Sequence, residues 1–476
     1  MRMVFQEHAR KDQFKKRKQE ETMKKLWIVL LSVALIMAFT MPVCATDVKF
    51  SGSYVIQGYY ENNRALVDQG ASLMNTWQRL RLQTDFKVQE GLSLTVQADI
   101  MDKIWGASRS STVTPANVSN IFNLPNNDED ENIHFNQVYV SANLFGGLFR
   151  AGYQRQGQFG TTFGDYGDYA YGPRVRYDYV IGPWTLIALY DKTEATQYYS
   201  SAGPAGNIGN SLYQVDNQQD AYVLAFIYDW GKGNAGLLYK HLVDSRNAGT
   251  SPNPATDAGY KRLWEIFDPY FKAQIGPVYI EGEAFYLTGK TKKYDTASNG
   301  TDQTKDGLSA YISATVDFAP MYAGINLVYV EGTDINATDK DNSGWPGMTD
   351  FNPCLMLWNF DLSRWNGGMG PLPTSVIAGI TNAQFAQIFV GVKPLPKLDI
   401  KAAYAIATAD KDAVANQISH NYGSELDVTA TYKIYDNLTY MVGFGYLWAG
   451  DYWKGSVSSY SIDNDYLITQ KLTLTF

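Results

Sequence analysis

From about residue 48 to its last residue, the sequence alternates apolar and polar residues in pairs almost everywhere, and this constrains the fold more than any other feature. Leu92, Leu94, Val96, Ala98 and Ile100 interleave with Ser93, Thr95, Gln97 and Asp99. Leu308, Ala310, Ile312, Ala314, Val316 and Phe318 interleave with Ser309, Tyr311, Ser313, Thr315 and Asp317, and Leu426, Val428, Ala430 and Tyr432 with Glu425, Asp427, Thr429, Thr431 and Lys433. Successive residues of a strand point to opposite faces, so each stretch predicts a strand with one fatty and one polar face. Helix signals are scarce where an ordinary soluble domain of this length would show them.

About 18 such segments can be counted, each near the length a tilted strand needs to cross a bilayer. Their connections strictly alternate in length. Gln89-Glu90-Gly91, Phe145-Gly146-Gly147, Ile181-Gly182-Pro183 and Tyr435-Asp436-Asn437 are short turns, while 61–75, 105–131, 156–172, 193–218 and 332–384 are long polar loops. A soluble sandwich has no reason to sort its connections this way. A transmembrane antiparallel up-and-down β-barrel does, with short periplasmic turns and long extracellular loops. In lipid every backbone N–H and C=O must be paired, so such a sheet has to close on itself.

The two ends of the chain fit this class. Met23-Lys24-Lys25, the apolar run Leu26–Phe39 and the small residues before Ala45 read as a Sec signal peptide over 23–45, too short to span a membrane. Residues 1–22 read as an extension from an early start, leaving 46–476 as one domain. The chain closes on QKLTLTF, with Tyr466, Ile468, Leu472, Leu474 and Phe476 on one face and Thr469, Lys471, Thr473 and Thr475 on the other. The first face is expected to meet lipid, with Phe476 closing the barrel at the periplasmic interface. A terminal aromatic of this kind resembles the signal that barrel-assembly machinery reads. Outer-membrane lipid and lipopolysaccharide are the expected surroundings. Aromatic residues near strand ends, Tyr59-Tyr60, Trp105, Trp184, Trp230, Tyr286, Trp448 and Trp453, predict interfacial girdles.

Residues 1–45 carry nine Lys/Arg and four Asp/Glu, so the remainder holds 31 basic and 44 acidic residues, a formal net of −13. That excludes nucleic acid as a partner. Cys354 is the one cysteine after Cys44, so neither a disulfide framework nor a Cys-based metal site is expected.

Gln78–Val88, followed by Leu92–Ile100 and Trp105-Gly106, resembles two adjacent strands of alginate-export-type porins. Gln137–Val140 followed by Leu148–Gln154 resembles that family too. The resemblance is clearest over 76–176. It implies a barrel of about 18 strands and, through an Arg/Lys-lined lumen, passage of an anionic polysaccharide.

A barrel this wide encloses water unless loops fold in, so function falls to the inward positions. Alternation assigns Arg79, Arg81, Arg150, Arg174 and Arg176 inward on early strands, with Asp85, Asp99 and Asp178 among them. On later strands it assigns Glu281, Glu283, Asp317, Asp399, Glu425 and Asp427, with Lys401 and Lys433. Two readings stay open: arginines facing carboxylates across water in a transverse field, or charges that pair locally.

Loop 332–384 is too long for a plain connection and carries Phe351, Leu355, Met356, Leu357, Trp358, Phe360 and Trp365. It is expected to fold into the lumen as a constriction or over the mouth as a lid. Within it Asp339, Asp341, Ser343 and Asp350 sit at calcium-loop spacing, against the plainer reading of a solvated acidic turn. Asp128–Glu131 reads as a surface run, with divalent cations between lipopolysaccharide groups as the functional alternative. Gly157, Gly160, Gly164, Gly167 and Gly172 punctuate an aromatic stretch read as a packed extracellular loop, with sugar stacking as the alternative. No cofactor other than calcium is implied. His134, His241 and His420 sit in no Ser or Asp constellation, so no enzyme is expected. The expected function is a porin passing small hydrophilic solutes by diffusion; the alternative is a channel specific for an anionic saccharide or organic acid.

Overall fold

The computed structural model describes residues 47–106, 133–168, 170–200, 213–245, 260–294, 300–371, 374–376 and 379–476. The expected leader, the 128–131 acidic run and Tyr169 of the aromatic loop lie outside the described residues.

The strands predicted from alternation form one closed antiparallel barrel of 18. They are β1 Asp47–Glu61, β2 Leu73–Gln89, β3 Leu92–Ile104, β4 Ile133–Leu144, β5 Gly147–Arg155, β6 Tyr171–Ile181, β7 Trp184–Ser200, β8 Tyr213–Asp229 and β9 Gly233–Asp244. The ring continues with β10 Tyr260–Ile275, β11 Val278–Tyr294, β12 Gln303–Phe318, β13 Met321–Val330, β14 Ala383–Leu395, β15 Leu398–Ala409, β16 Asn421–Tyr435, β17 Leu438–Ala449 and β18 Asp465–Thr475. Each pairs with its sequence neighbours, and β18 pairs with β1. A two-residue segment, Lys340–Asp341, adds a short parallel pairing to the far end of β12.

The sheet closes without inverting its faces. Across the seam Tyr60, Ile56 and Tyr54 oppose Ile468, Leu472 and Leu474, while Tyr59, Gln57 and Val55 oppose Thr469, Lys471 and Thr473. A slip of one residue would put every fatty side chain in the lumen. Phe476 completes the seam: its N–H donates to the Gly52 carbonyl at 3.0 Å and its carbonyl accepts from the Gly52 N–H at 2.8 Å.

The outer face carries large apolar residues that a water-facing surface would hide. Leu224 is 62% exposed, Ile388 61% and Ile406 53%. Such a continuous belt is what a lipid-facing barrel wall requires. Trp184 and Tyr228 pack at 4.6 Å at the short-turn end, and Tyr446 and Trp448 at 4.7 Å at the other. Tyr59 and Trp453 depart from the expected girdles: both are buried among the inward apolar residues, because Tyr59 lies on the inner face of β1 and Trp453 folds back from the β17–β18 loop onto Tyr422. At the short-turn end, Phe145 and Gly146 take φ of 53° and 82°, the left-handed pair that a tight hairpin between twisted strands demands.

The apolar core sits inside the barrel. Phe163 joins Phe351, Met356, Leu357, Trp358, Leu362 and Trp365 in one cluster with inward side chains of the wall.

Candidate functional site

The inward arginines of the early strands are neutralised sideways along the wall. Arg81 lies opposite Asp99 in register and binds it through two N–H···O bonds of 2.7 Å. Arg174 binds Asp191 on β7 the same way, at 2.6 and 2.8 Å. Arg176 and Arg150 converge on Asp178, the former at 2.8 Å. Such planar, two-bonded pairs fix side-chain direction as well as charge. Arg79 and Arg81 also reach Asp168 at 3.2 and 2.5 Å, on the loop between β5 and β6. Asp85 accepts from the Thr95 hydroxyl at 2.6 Å. Local pairing therefore replaces the transverse field.

The acidic side departs further from expectation, because its deepest carboxylates are covered. Glu425 is fully buried; its two oxygens accept the backbone N–H groups of Met356 and Leu357 at 2.7 and 2.8 Å. Asp427, also buried, accepts from the Leu355 N–H at 3.2 Å, and Gln387 donates to the Pro353 carbonyl at 2.6 Å. Loop 332–384 thus enters the lumen, which decides between constriction and lid. Room for it is made by small residues on the inner face of β15 and β17: Ala403, Ala405, Ala407, Ala409, Gly443 and Gly445. At Gly443 an added Cβ would stand 3.2 Å from a Leu355 methyl.

From Leu357 the loop runs into a short helix, α1 (Phe360–Asn366), capped by the Asn359 side chain, which accepts from the Leu362 N–H. Arg64 ties its end down, donating to the Gly367 carbonyl at 2.7 Å and the Ser363 hydroxyl at 3.0 Å while paired with Glu61. Arg364 pairs with Asp102 at 2.9 Å, and Trp365 packs edge-on against Trp77 at 5.8 Å.

The glycine-punctuated stretch is a second inward segment rather than a packed extracellular loop. Glu283, 4% exposed, holds it by accepting from the Thr161 N–H at 2.9 Å, the Thr161 hydroxyl at 2.5 Å and the Gly164 N–H at 3.2 Å. The glycines are what allow that approach: an added Cβ at Gly160 or Gly164 would stand 2.0 or 2.5 Å from the Glu283 Oε1. Phe163, its fully buried aromatic, packs on protein. Phe163 stacks on Tyr311 at 5.5 Å and meets Phe351 edge-on at 5.3 Å. The two inward loops join where the Met348 N–H donates to the Phe163 carbonyl at 2.9 Å and the Asp350 N–H to the Asp165 carbonyl at 3.1 Å.

The four residues at calcium-loop spacing are not brought together. Asp341 accepts from the Lys305 ammonium at 3.0 Å, which also donates to the Ser343 hydroxyl at 2.7 Å. The lysine fills the place a cation would take. Burial would raise the Asp341 carboxyl, but Lys305 and the Ser343 donors bring it down to about 2. Asp350 lies instead by Arg155, with its carboxyl raised by burial and by the charge of Asp165. The remaining acidic candidates scatter: Glu281 accepts from Tyr311, Asp399 from Tyr322, and Asp317 is exposed at the short-turn end.

Among the described residues, the group whose ligand atoms approach metal-site spacing is Cys354 with Glu425 and Asp427, at the loop anchor. Burial, then the two carboxylates, pushes the Cys354 thiol well above its usual range. We expect Cys354 to resist alkylation in the folded barrel and to react readily once the protein is denatured; rapid labelling of folded protein would contradict its burial.

What remains open lies along the charged side. A cavity of about 690 Å³ extends between β6–β12 and the two inward segments, with Arg174, Lys240, Arg262 and Lys305 on its walls. The signals missed in the sequence were Thr161, Arg155, Asp165, Asp168, Lys240 and Lys305. A row of small inward residues opposite an unusually apolar loop was the available clue to the constriction.

No family model matches the chain, and no curated protein does. Among solved structures it is similar to Pseudomonas aeruginosa OccK9 (OpdG), at 13% identity over 90% of this chain and 99% of that one, with a TM-score of 0.49. It is similar to Pseudomonas aeruginosa OpdK solved with vanillate, at 10% identity over 90% and 98%, TM-score 0.49. It is similar as well to OmpT of Vibrio cholerae, at 11% identity over 92% and 99%, TM-score 0.38.

Proposed function

We propose that this protein is an outer-membrane channel through which small hydrophilic solutes diffuse passively, past a constriction built by two loops folded into the lumen. The observation that carries the reading is the combination of a lipid-facing outer belt with an inner wall of arginine and aspartate held in fixed pairs. Where its pairs stay part-open to the lumen, as Arg150 and Arg176 with Asp178, the wall offers hydrated solutes both signs of charge along a narrow path. The chain is exported through the Sec pathway, and the closing strand ending on Phe476 is the segment presented to the barrel-assembly machinery, within a lipopolysaccharide-containing outer leaflet.

Reconstitution in a planar bilayer tests this: steady unit conductance is expected, and a silent barrel would sink the reading in favour of a plugged structural or adhesive one. The Arg79→Ser, Arg81→Ser double variant is expected to move reversal potentials toward cation preference. It leaves Asp99 and Asp168 without those partners, a change of two charges in a low-dielectric passage. Unchanged selectivity would place both arginines away from the path.

The second reading, a channel specific for an anionic saccharide or organic acid, is favoured by the cavity beside the constriction, where cations on the walls outnumber carboxylates.

A further inference from the structure

The long-loop end of β10–β12 turns a cluster of lysines toward the outside of the barrel. Arg262 faces the lumen and lies 3.6 Å from Asp244, so its neighbour Lys261 points outward. Thr291 accepts from the inward Trp264 at 3.3 Å, so Lys290 before it points outward as well. Lys293 lies directly opposite Lys261 in register and therefore on the same face. Like charges directly opposite each other across an antiparallel pair repel.

Among the described residues, little of that charge is met by the chain itself. Lys290 and Lys293 share one carboxylate, Asp302, at 3.8 and 2.9 Å. Lys292 stands over the Tyr260 ring at 5.5 Å. The next carboxylates down the same outer face are taken. Glu265 accepts from the Tyr239 hydroxyl at 2.6 Å and lies 2.8 Å from His241, and Asp306 lies 3.7 Å from Lys340. Below the lysines the wall is apolar: Phe267, Tyr286 and Leu308 stand exposed in one row across the three strands. Phe267 and Tyr286 stack there at 6.5 Å. Such a row marks the edge of the hydrocarbon. Four residues of β11 separate Tyr286 from Lys290, about 13 Å along the strand, which puts the ammonium groups at headgroup level.

We propose that this corner of the barrel binds a phosphorylated glycolipid of the outer leaflet, its phosphate on Lys261, Lys290 and Lys293 and its acyl chains against Phe267, Tyr286 and Leu308. The proposal rests on the outer-membrane reading and gives that lipid a fixed place on the wall. A phosphate among the three ammonium groups relieves the repulsion between Lys261 and Lys293, and each lysine near a membrane surface adds to the attraction. A zwitterionic headgroup brings its own cation toward the lysines, which selects against it. A free phosphate lacks the apolar body that the aromatic row takes.

The test is native mass spectrometry of the detergent-solubilised mature barrel titrated with diphosphoryl lipid A, dephosphorylated lipid A and phosphatidylethanolamine. A saturable adduct is expected with diphosphoryl lipid A, at least about tenfold tighter than with either other lipid and not displaced by inorganic phosphate at equal concentration. Replacing Lys290→Gln and Lys293→Gln together should weaken it about tenfold or more. Asp302→Asn should tighten it, since the competing charge is gone while the amide oxygen still accepts from the Tyr294 N–H. The charge-matched pair Lys232→Gln and Lys397→Gln, exposed at the short-turn end, should leave it unchanged, with every variant still migrating as a folded barrel. Equal binding of dephosphorylated lipid A, displacement by inorganic phosphate, an unchanged Lys290/Lys293 variant, or an equal loss in the short-turn pair would each overturn the proposal. Fractionation of the chain with the soluble periplasm would sink the outer-membrane reading itself, whereas a missing adduct on a barrel that fractionates with the outer membrane sinks the lipid site alone.

Discussion

Replacing Glu425 with alanine is expected to raise unit conductance about threefold or more, because an 18-stranded barrel freed of its inward loop leaves a wide aqueous channel. The Glu425 carboxylate is the double acceptor for the N–H groups of Met356 and Leu357, and Asp427 adds the third bond at Leu355. Without Glu425 two buried donors are left unpaired, each costing about 1–3 kcal/mol, more than the local packing of one loop turn readily offsets. Water then enters beneath the segment, and the Ala403–Ala409 wall offers no polar group to hold it. Glu425→Gln should be intermediate, since an amide accepts one of the two N–H groups and presents its own NH2 to the other. Cys354 reports the same event: its labelling by a small alkylating reagent should accelerate strongly in Glu425→Ala while the barrel remains folded. A variant with wild-type conductance and a silent thiol would show that the aromatic cluster, not the carboxylate, holds the loop.

Truncation after Lys471 is expected to abolish the folded barrel, read as loss of the heat-modifiable band in electrophoresis and of protease resistance in membranes. The missing residues pair with Ser53, Tyr54, Val55 and Ile56, and Phe476 with Gly52. Removing them opens a sheet edge in lipid, where each unsatisfied backbone group costs several kcal/mol and water is not there to replace the partner. Phe476→Ala keeps the backbone bonds and loses only the ring over Gly52, so its effect should be confined to assembly yield. If the truncated chain still gave a heat-modifiable band, the β1–β18 seam would not be what closes the sheet.

The strands and the seam were legible in the sequence because their cause is local. A residue and its second neighbour share a face, lipid demands apolar atoms on one side, and backbone pairing in lipid leaves closure as the one solution; Ile468 and Thr469 could be assigned from their neighbours alone. The destination of the loops was not legible. Phe351 to Trp365 announced that they had to be covered, but not whether the cover was the inner wall or the other loops. What decided it was the small inner row from Ala403 to Ala409 and a carboxylate, Glu425, placed to accept two N–H groups from a segment nearly seventy residues away in the chain.

By itself, then, the sequence determined a closed barrel, its lipid face and which charges turn inward, since these follow from period two and the chemistry of the bilayer. Tertiary structure alone decided which of those charges see water. Arg81 finds Asp99 through strand register, Lys305 fills the would-be cation loop at Asp341, Glu283 and Glu425 disappear beneath loops, and Lys240 is left without an ion pair among the described residues. Such pairings depend on which strands and loops meet across the fold, and no pattern of neighbouring residues encodes that.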